Sequence, residues 1–270
     1  MKWRIRHRTL YTYATPARDS FNEVRLFPVN NEYQVVERFD LITAPDAPRR
    51  QYHDFYGNTV YHFDVAAPHS SLLIQTDVTV STNPAPPLGW DFFLPAGSLA
   101  EPASFDYLSE SRFVDIEPFT WRLAVDATSG ISDSWQSALA IMRFVHRYLT
   151  YTPASTHVHT HLRDVLASRC GVCQDFAHMM LGLCRTLRMP ARYVSGYLAT
   201  ERASATHAWV EVLLPTLGWR ALDPTHDRQI DGAYVKIGSG RDYSDVPPVA
   251  GYYKGSLRRK MEVDVKIEAV

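Results

Sequence analysis

From Trp3 to about Ser81 apolar and polar residues alternate, and runs such as Tyr33 to Phe39 and Leu72 to Val80 are rich in β-branched and aromatic side chains. A period of two sends successive side chains to opposite faces, so these runs predict strands with one face on a core. Gly57-Asn58, between Tyr52–Tyr56 and Thr59–Phe63, supplies residues that tolerate positive φ and signals a hairpin turn. After Gly130 the period changes. Trp135, Leu139, Met142, Val145, His146 and Leu149 recur at three- and four-residue spacings, which predicts an amphipathic helix with Ser132 as its N-cap. A short helix is expected over Leu162 to Ser168. A third, starting at Cys173, carries Phe176, Met179, Met180, Leu183, Cys184 and Leu187 on one face and stops at Met189-Pro190. Ala191–Leu198, His207–Leu214 and Trp219–Asp223 return to strand patterning, the last two joined across Pro215 to Gly218. The tail from Met261 to Ile267 alternates again and fits as an added strand of either sheet.

Strands, then helices, then antiparallel strands predict an α+β fold. The expected division is an antiparallel β-sandwich over residues 1–120, ending in a linker broken by Pro84, Pro86, Pro87, Pro95 and Pro102, followed by a second domain over 121–270 with helices packed on an antiparallel sheet.

Composition narrows the partners. With 28 basic and 29 acidic residues the formal net charge is -1, which offers no electrostatic reason to expect nucleic acid or an anionic membrane. The segment Met1 to Arg8 interleaves charge with apolar residues and has no apolar stretch of leader or membrane-spanning length, so a cytoplasmic location is expected. Three cysteines are too few for a disulfide framework in 270 residues and suit a reducing compartment.

The chemistry concentrates around Cys170-Gly171-Val172-Cys173-Gln174-Asp175-Phe176-Ala177-His178. The pattern puts Cys173 in the first turn of a helix, where free backbone N–H groups and the helix dipole stabilise a thiolate. His207 opens one strand and Asp223 closes the next. If those strands form a hairpin, the two residues fall within one diagonal cross-strand step, close enough for a carboxylate to reach an imidazole. Cys173, His207 and Asp223 would then serve as nucleophile, base and orienting carboxylate, with the Cys173 N–H on one side of an oxyanion hole. Gln174 and Trp209 are nearby candidates for substrate contact, as is Tyr243, which lies beside Asp242 in a Gly- and Pro-rich loop.

The segments Gly171–His178, His207-Ala208-Trp209-Val210-Glu211 and Leu222-Asp223-Pro224-Thr225 resemble the transglutaminase-like core of the papain-like cysteine enzyme superfamily. Asp54–Asn58 and Gly240–Pro248 look like the rest of a bacterial transglutaminase-like architecture. The resemblance implies a papain-like core, a Cys-His-Asp triad at Cys173, His207 and Asp223, and acyl transfer from amides through a thioester. The acceptor stays open, because relatives include cross-linking transferases, peptidases, deamidating enzymes and inactive members. A peptidase or amidase acting on a protein or peptide is the first expectation, since water is always at hand. A protein-glutamine gamma-glutamyltransferase is the alternative, and a silent protein-binding module the reading of another class. No cofactor is implied, and calcium dependence is not, since no EF-hand loop occurs.

Other residues have plainer readings. Cys170 and Cys173 have redox spacing but lack the strand-first context of a thioredoxin-like unit. Cys184, eleven residues beyond Cys173 and about 16 Å along the axis, reads as core. His178 is the rival base, turned about 140° from Cys173 around the helix, which favours packing; Asp175 is placed to cap or orient that helix. Trp219 and Tyr197 read as core. His157, His159 and His161 would line one side of an extended segment, but no spacing fixes a fourth ligand, so a solvated loop is expected and no metal site is assigned. Replacing all three by alanine should therefore leave amide turnover unchanged in a steady-state assay, and a large loss in a folded variant would overturn that reading.

Overall fold

The computed structural model describes residues 1–83, 103–199, 206–215, 217–255 and 258–270. The prolines of the expected linker, Pro84 to Pro102, lie outside them, as does Thr216 in the expected turn. The amino-terminal half is built on one long strand, β1 (Lys2–Val24), followed by β2 (Gln34–Ala44), β3 (Arg50–His53), β4 (Thr59–Val65) and β5 (His69–Thr82). Residues 2–12 of β1 pair with β5, whereas residues 20–24 pair with β4. Pairing is irregular between Thr12 and Ala17, where the strand passes from one half of the sheet to the other. The sandwich is thus a single curled antiparallel sheet wrapped on one core, with Ile5, Val24, Phe63, Leu72, Ile74 and Val80 inside. The loop from Asp54 to Asn58 closes the β3–β4 hairpin, with Gly57 at φ 79°.

The second half begins with α1 (Ala103–Asp106), α2 (Pro118–Ala127) and α3 (Ser134–Tyr148). α2 was not expected from the apolar pattern; Pro118 at its start is compatible with a first-turn position, where no N–H is needed. The cap of α3 is Asp133 rather than Ser132: its carboxylate accepts from Gln136 N at 2.8 Å, which the hydroxyl one residue earlier does not do. β6 (Thr150–Tyr151), α4 (Leu162–Ser168) and β7 (Cys170–Gly171) lead into α5 (Cys173–Thr186). Then come β8 (Ala191–Leu198), β9 (His207–Leu214), β10 (Gly218–Asp223), β11 (Arg228–Gln229) and β12 (Tyr234–Gly240), forming a sheet of order β11-β10-β9-β8-β12.

α5 is buried almost all round. Met179, Met180, Leu183 and Cys184 share a core with α3, α4 and the facing residues Ala191, Tyr193, Val210 and Val212 of the sheet. Arg185 is also buried, and its guanidinium donates to the carbonyls of Ala191, Ser109 and Arg241, tying the end of α5 to two turns. The chain ends with β13 (Val249–Lys254) and β14 (Arg259–Ala269), both antiparallel to β1. The tail therefore joins the amino-terminal sheet, and the last strands of the stretch 121–270 are hydrogen-bonded to the first strand of the chain. Among the described residues no helix is long and apolar enough to cross a membrane.

Contacts between the two sheets hold the site's rear wall. Tyr197, Val235 and Ile237 reach into the amino-terminal core. Gln34 bonds both the N–H and the carbonyl of Lys236, at 2.8 Å each. Asn58, only 3% exposed, does the same for Ser239, donating at 2.9 Å and accepting at 2.8 Å. Asn58→Ala strands both backbone groups of a buried strand and should cost about 2–4 kcal/mol, read as a lower urea midpoint at unchanged slope; a change below 0.5 kcal/mol (roughly the noise of a neutral surface substitution) would show that the junction is not built on this side chain.

Candidate active site

Cys173 is the first residue of α5, so its half-buried thiol sits at the positive end of a 14-residue helix. The chain reaches that position by a tight route. α4 ends on Arg169 in the left-handed conformation (φ 54°), β7 pairs in parallel with β6, and Gly171 lets the helix fold back over it. A Cβ at Gly171 would stand 2.6 Å from Oδ2 of Asp175. That carboxylate accepts from Val172 N at 2.7 Å and from the Thr156 hydroxyl at 2.5 Å, closing the first turn of α5. Burial pushes the Asp175 carboxyl above its usual range.

β9 and β10 pair with Val210 opposite Leu222 and Leu214 opposite Gly218, which leaves Asp223 one diagonal step from His207. His207 Nε2 lies 2.7 Å from Asp223 Oδ2, and the Cys173 thiol neighbours the same ring closely enough to favour its charged form. With Nε2 directed at the carboxylate, Nδ1 is the nitrogen left for the thiol. The structure therefore brings all three residues of the expected set together.

Asp223 is fully buried, yet every lone-pair direction is used. Oδ1 accepts from the backbone N–H groups of Thr225 at 2.8 Å and His226 at 3.3 Å. Oδ2 takes His207, His226 Nδ1 at 2.8 Å and the Tyr234 hydroxyl at 2.7 Å. Burial alone would raise this carboxyl; the hydrogen bonds from His207 and His226 outweigh it and hold the group well below the carboxylate range. For His207, burial opposes the charged ring, but the bond to Asp223 and the neighbouring Cys173 raise it to about 9. His226 and Tyr234 are site residues that pattern reasoning missed. His226 was findable, three residues past Asp223; Tyr234 arrives on β12, with nothing local to announce it.

The other candidates have different surroundings. Gln174 donates from Nε2 to the Val158 carbonyl at 3.3 Å, bracing the turn before α4. Trp209 is wholly buried, its ring 6.2 Å from that of His207 and edge-on to Tyr234, so it backs the imidazole from inside. Tyr243 is half-buried, with its ring 6.4 Å from Tyr193. Asp242 is buried and accepts from Phe113 N at 2.8 Å. His178 is buried between Phe113 and Tyr193, accepts from Tyr243 N at 3.3 Å, and is lowered by burial to about 4, which makes it a packing residue. Burial pushes the Cys184 thiol up to about 12. His157, His159 and His161 occupy a turn rather than an extended strand: the His157 ring accepts from His159 N, while His161 faces Asp115. Among the described residues, one group has ligand atoms close enough for a cation, His207, Asp223 and His226 within 4.8 Å. An ion there would occupy the base.

Sequence profiles add the family. The transglutaminase-like superfamily profile matches residues 122–224, which include Cys173, His207 and Asp223, and that of the bacterial transglutaminase-like N-terminal region matches residues 3–81. An uncharacterized protein of Mycobacterium leprae is 35% identical over 282 residues, covering 98% of both chains. The chain belongs to the transglutaminase-like superfamily. A protein-glutamine gamma-glutamyltransferase of Pseudomonas aeruginosa is 33% identical over 135 residues, 44% of this chain and 20% of that one. In fold, this transglutaminase-like chain matches a candidate cysteine protease from Cytophaga hutchinsonii with a TM-score of 0.80 at 22% identity, over 99% of this chain and 90% of the other.

The raised His207 makes stability depend on pH. Its folded value, about 9, lies above the ordinary value of 6.5, so its contribution is complete below pH 6.5 and is lost as pH rises through 9. Urea midpoints between pH 6 and 10 should show a loss of at most about 3 kcal/mol that disappears in His207→Gln; an identical loss in the variant would place the titrating group elsewhere.

Proposed function

We propose that this protein is a cysteine amidase or peptidase that works through a thioester. The observation that carries the reading is one imidazole held between a buried carboxylate and a thiol at a helix N-terminus. His207 takes the thiol proton through Nδ1, and Asp223 supports the resulting imidazolium. The thiolate adds to the amide carbonyl, and the oxyanion is stabilised by the start of α5, beginning with the Cys173 N–H. As the tetrahedral adduct collapses, the C–N bond breaks, and His207 returns the proton to the departing amine. Water, deprotonated by the same ring, then attacks the thioester carbonyl and releases the acid and the free thiol.

Transfer to an amine differs only in the second nucleophile. That second reading, a protein-glutamine gamma-glutamyltransferase, is favoured by the 33% identity to the Pseudomonas aeruginosa transferase, a likeness limited to 44% of this chain. Hydrolysis ranks first because water needs no binding site, whereas transfer requires one that excludes it. The substrate is read as a protein or peptide, and the site as working in a reducing, cytoplasmic setting where the thiol stays free.

Brief alkylation with limiting iodoacetamide at several pH values, mapped by mass spectrometry, should label Cys173 below about pH 7 in the wild type and not in His207→Ala. Turnover of a glutamine-containing peptide should vanish in Cys173→Ala, nearly vanish in His207→Ala, and fall by about 10²–10⁴ in Asp223→Asn. With a primary amine present, free acid as the main product marks the hydrolase, and amide product marks the transferase. Labelling only at alkaline pH, spread over Cys170, Cys173 and Cys184, would leave a binding module.

A further inference from the structure

A groove of about 350 Å³ lies between the amino-terminal sheet and the second half of the chain. Tyr11 and Tyr13 of β1, Tyr253 of β13, and Val158 and Tyr243 of the second half line it. Two guanidinium groups flank it. That of Arg259 lies 5.2 Å from the Tyr11 ring centroid and 5.7 Å from that of Tyr253, and that of Arg112 lies 5.4 Å from the Phe113 ring. Both arginines are exposed, and among the described residues no carboxylate lines the groove. A cation held over an aromatic face keeps its charge directed outward and retains free N–H groups for an anion.

Two contacts link the groove's lining to residues next to Cys173. The carbonyl of Val158, in its wall, accepts from the side chain of Gln174, the residue after Cys173. The Tyr243 ring stands 6.4 Å from that of Tyr193, whose phenol is held far above its ordinary range by burial and by the neighbouring Cys173. Ala250 to Tyr253 also line the groove; β13 pairs along one side with β1 and, among the described residues, with no other strand. Such a strand offers backbone groups to an extended chain.

We propose that this groove is the substrate subsite of the thioester chemistry above and that it selects an extended peptide bearing carboxylates, held by Arg112 and Arg259 over its tyrosine wall. The proposal rests on the amidase reading for its role in turnover, but its binding claim stands apart and is tested apart. Charge complementarity fixes the occupant: two cations without a facing carboxylate favour an anion, and the tyrosines favour apolar side chains between the charges.

The test uses full-length Cys173→Ala protein and three fluorescein-labelled decapeptides of one scaffold, carrying alternating glutamates, glutamines or lysines. Fluorescence anisotropy should show the glutamate peptide binding at least about ten-fold tighter than the glutamine peptide, with the lysine peptide weakest and the preference reduced by added salt. Arg259→Glu and Arg112→Glu should each weaken the preference, and the double variant should invert it in favour of lysine; circular dichroism checks that these exposed substitutions leave the fold intact. Equal binding of the three peptides, or a glutamate preference that survives in the double variant, overturns the proposal. In wild-type protein the bound glutamate peptide should also slow alkylation of Cys173, and unchanged labelling at saturation would overturn the placement beside the thiol. Preferential binding without cleavage by the wild type would instead sink the amidase reading and leave the groove assignment standing.

Discussion

Everything at this site depends on keeping one carboxylate charged in the interior. Asp223 has no exposed surface, and burying an uncompensated carboxylate costs several kcal/mol, enough to protonate it or unfold the region. Five hydrogen bonds prevent that. They come from three parts of the chain: His207 at the start of β9, the turn after β10, and Tyr234 at the start of β12. The charge fixes the imidazole's orientation, and the imidazole fixes which of its nitrogens meets the thiol. Removing any donor shifts load onto the others, so His226 and Tyr234 help to hold the carboxylate that orients His207.

The two sheets are coupled because the β11-β10-β9-β8-β12 sheet has two faces to cover. One packs on α5; part of the other is completed by the amino-terminal core through Tyr197, Val235 and Ile237. Buried polar groups at the seam are paired rather than avoided. Glu211 accepts from Arg192 at 2.6 Å and from Lys236 at 2.7 Å on this rear face; burial opposes its charge, but these partners hold it at about 2. Lys236 is lowered by burial to about 8 despite its bond to Glu211. Such a cluster contributes little net stability, yet a wrong register would leave charges buried alone, so it penalises alternatives to the observed arrangement. Asn58 and Gln34 act likewise, each reading both backbone groups of one residue of β12.

The proposed groove follows from the same architecture. β14 returns the carboxyl terminus to β1, and that return carries Arg259 over Tyr11 at the border of the two halves. The amino-terminal sheet thereby supplies both a rear support for the β8–β12 sheet and one part of the proposed groove's lining.

Alternation with period two was enough to mark the amino-terminal strands, and three- and four-residue spacing marked α3 and α5, because each element buries one face or stripe and its sequence must repeat with its geometry. The strands beginning at His207 and ending at Asp223 were legible for the same reason, and their short connection put acid and base within a diagonal step. Local sequence did not mark α2, which starts on Pro118 at the edge of the expected linker, or choose Asp133 over Ser132 as the cap of α3, since either side chain can accept and only the backbone path decides which one meets Gln136 N. Nor could it choose a sheet for the tail or bring Tyr234 to Asp223. Those are long-range outcomes: β14 pairs with a strand more than 240 residues earlier in the chain, and the Tyr234 hydroxyl reaches its carboxylate across the sheet. The sequence by itself determined most of the strand and helix segments and which of them carry Cys173, His207 and Asp223, because periodicity and turn chemistry act within a few residues. Tertiary structure alone decided which surfaces close on one another, because burying apolar faces and pairing buried charges depend on partners that no local pattern names.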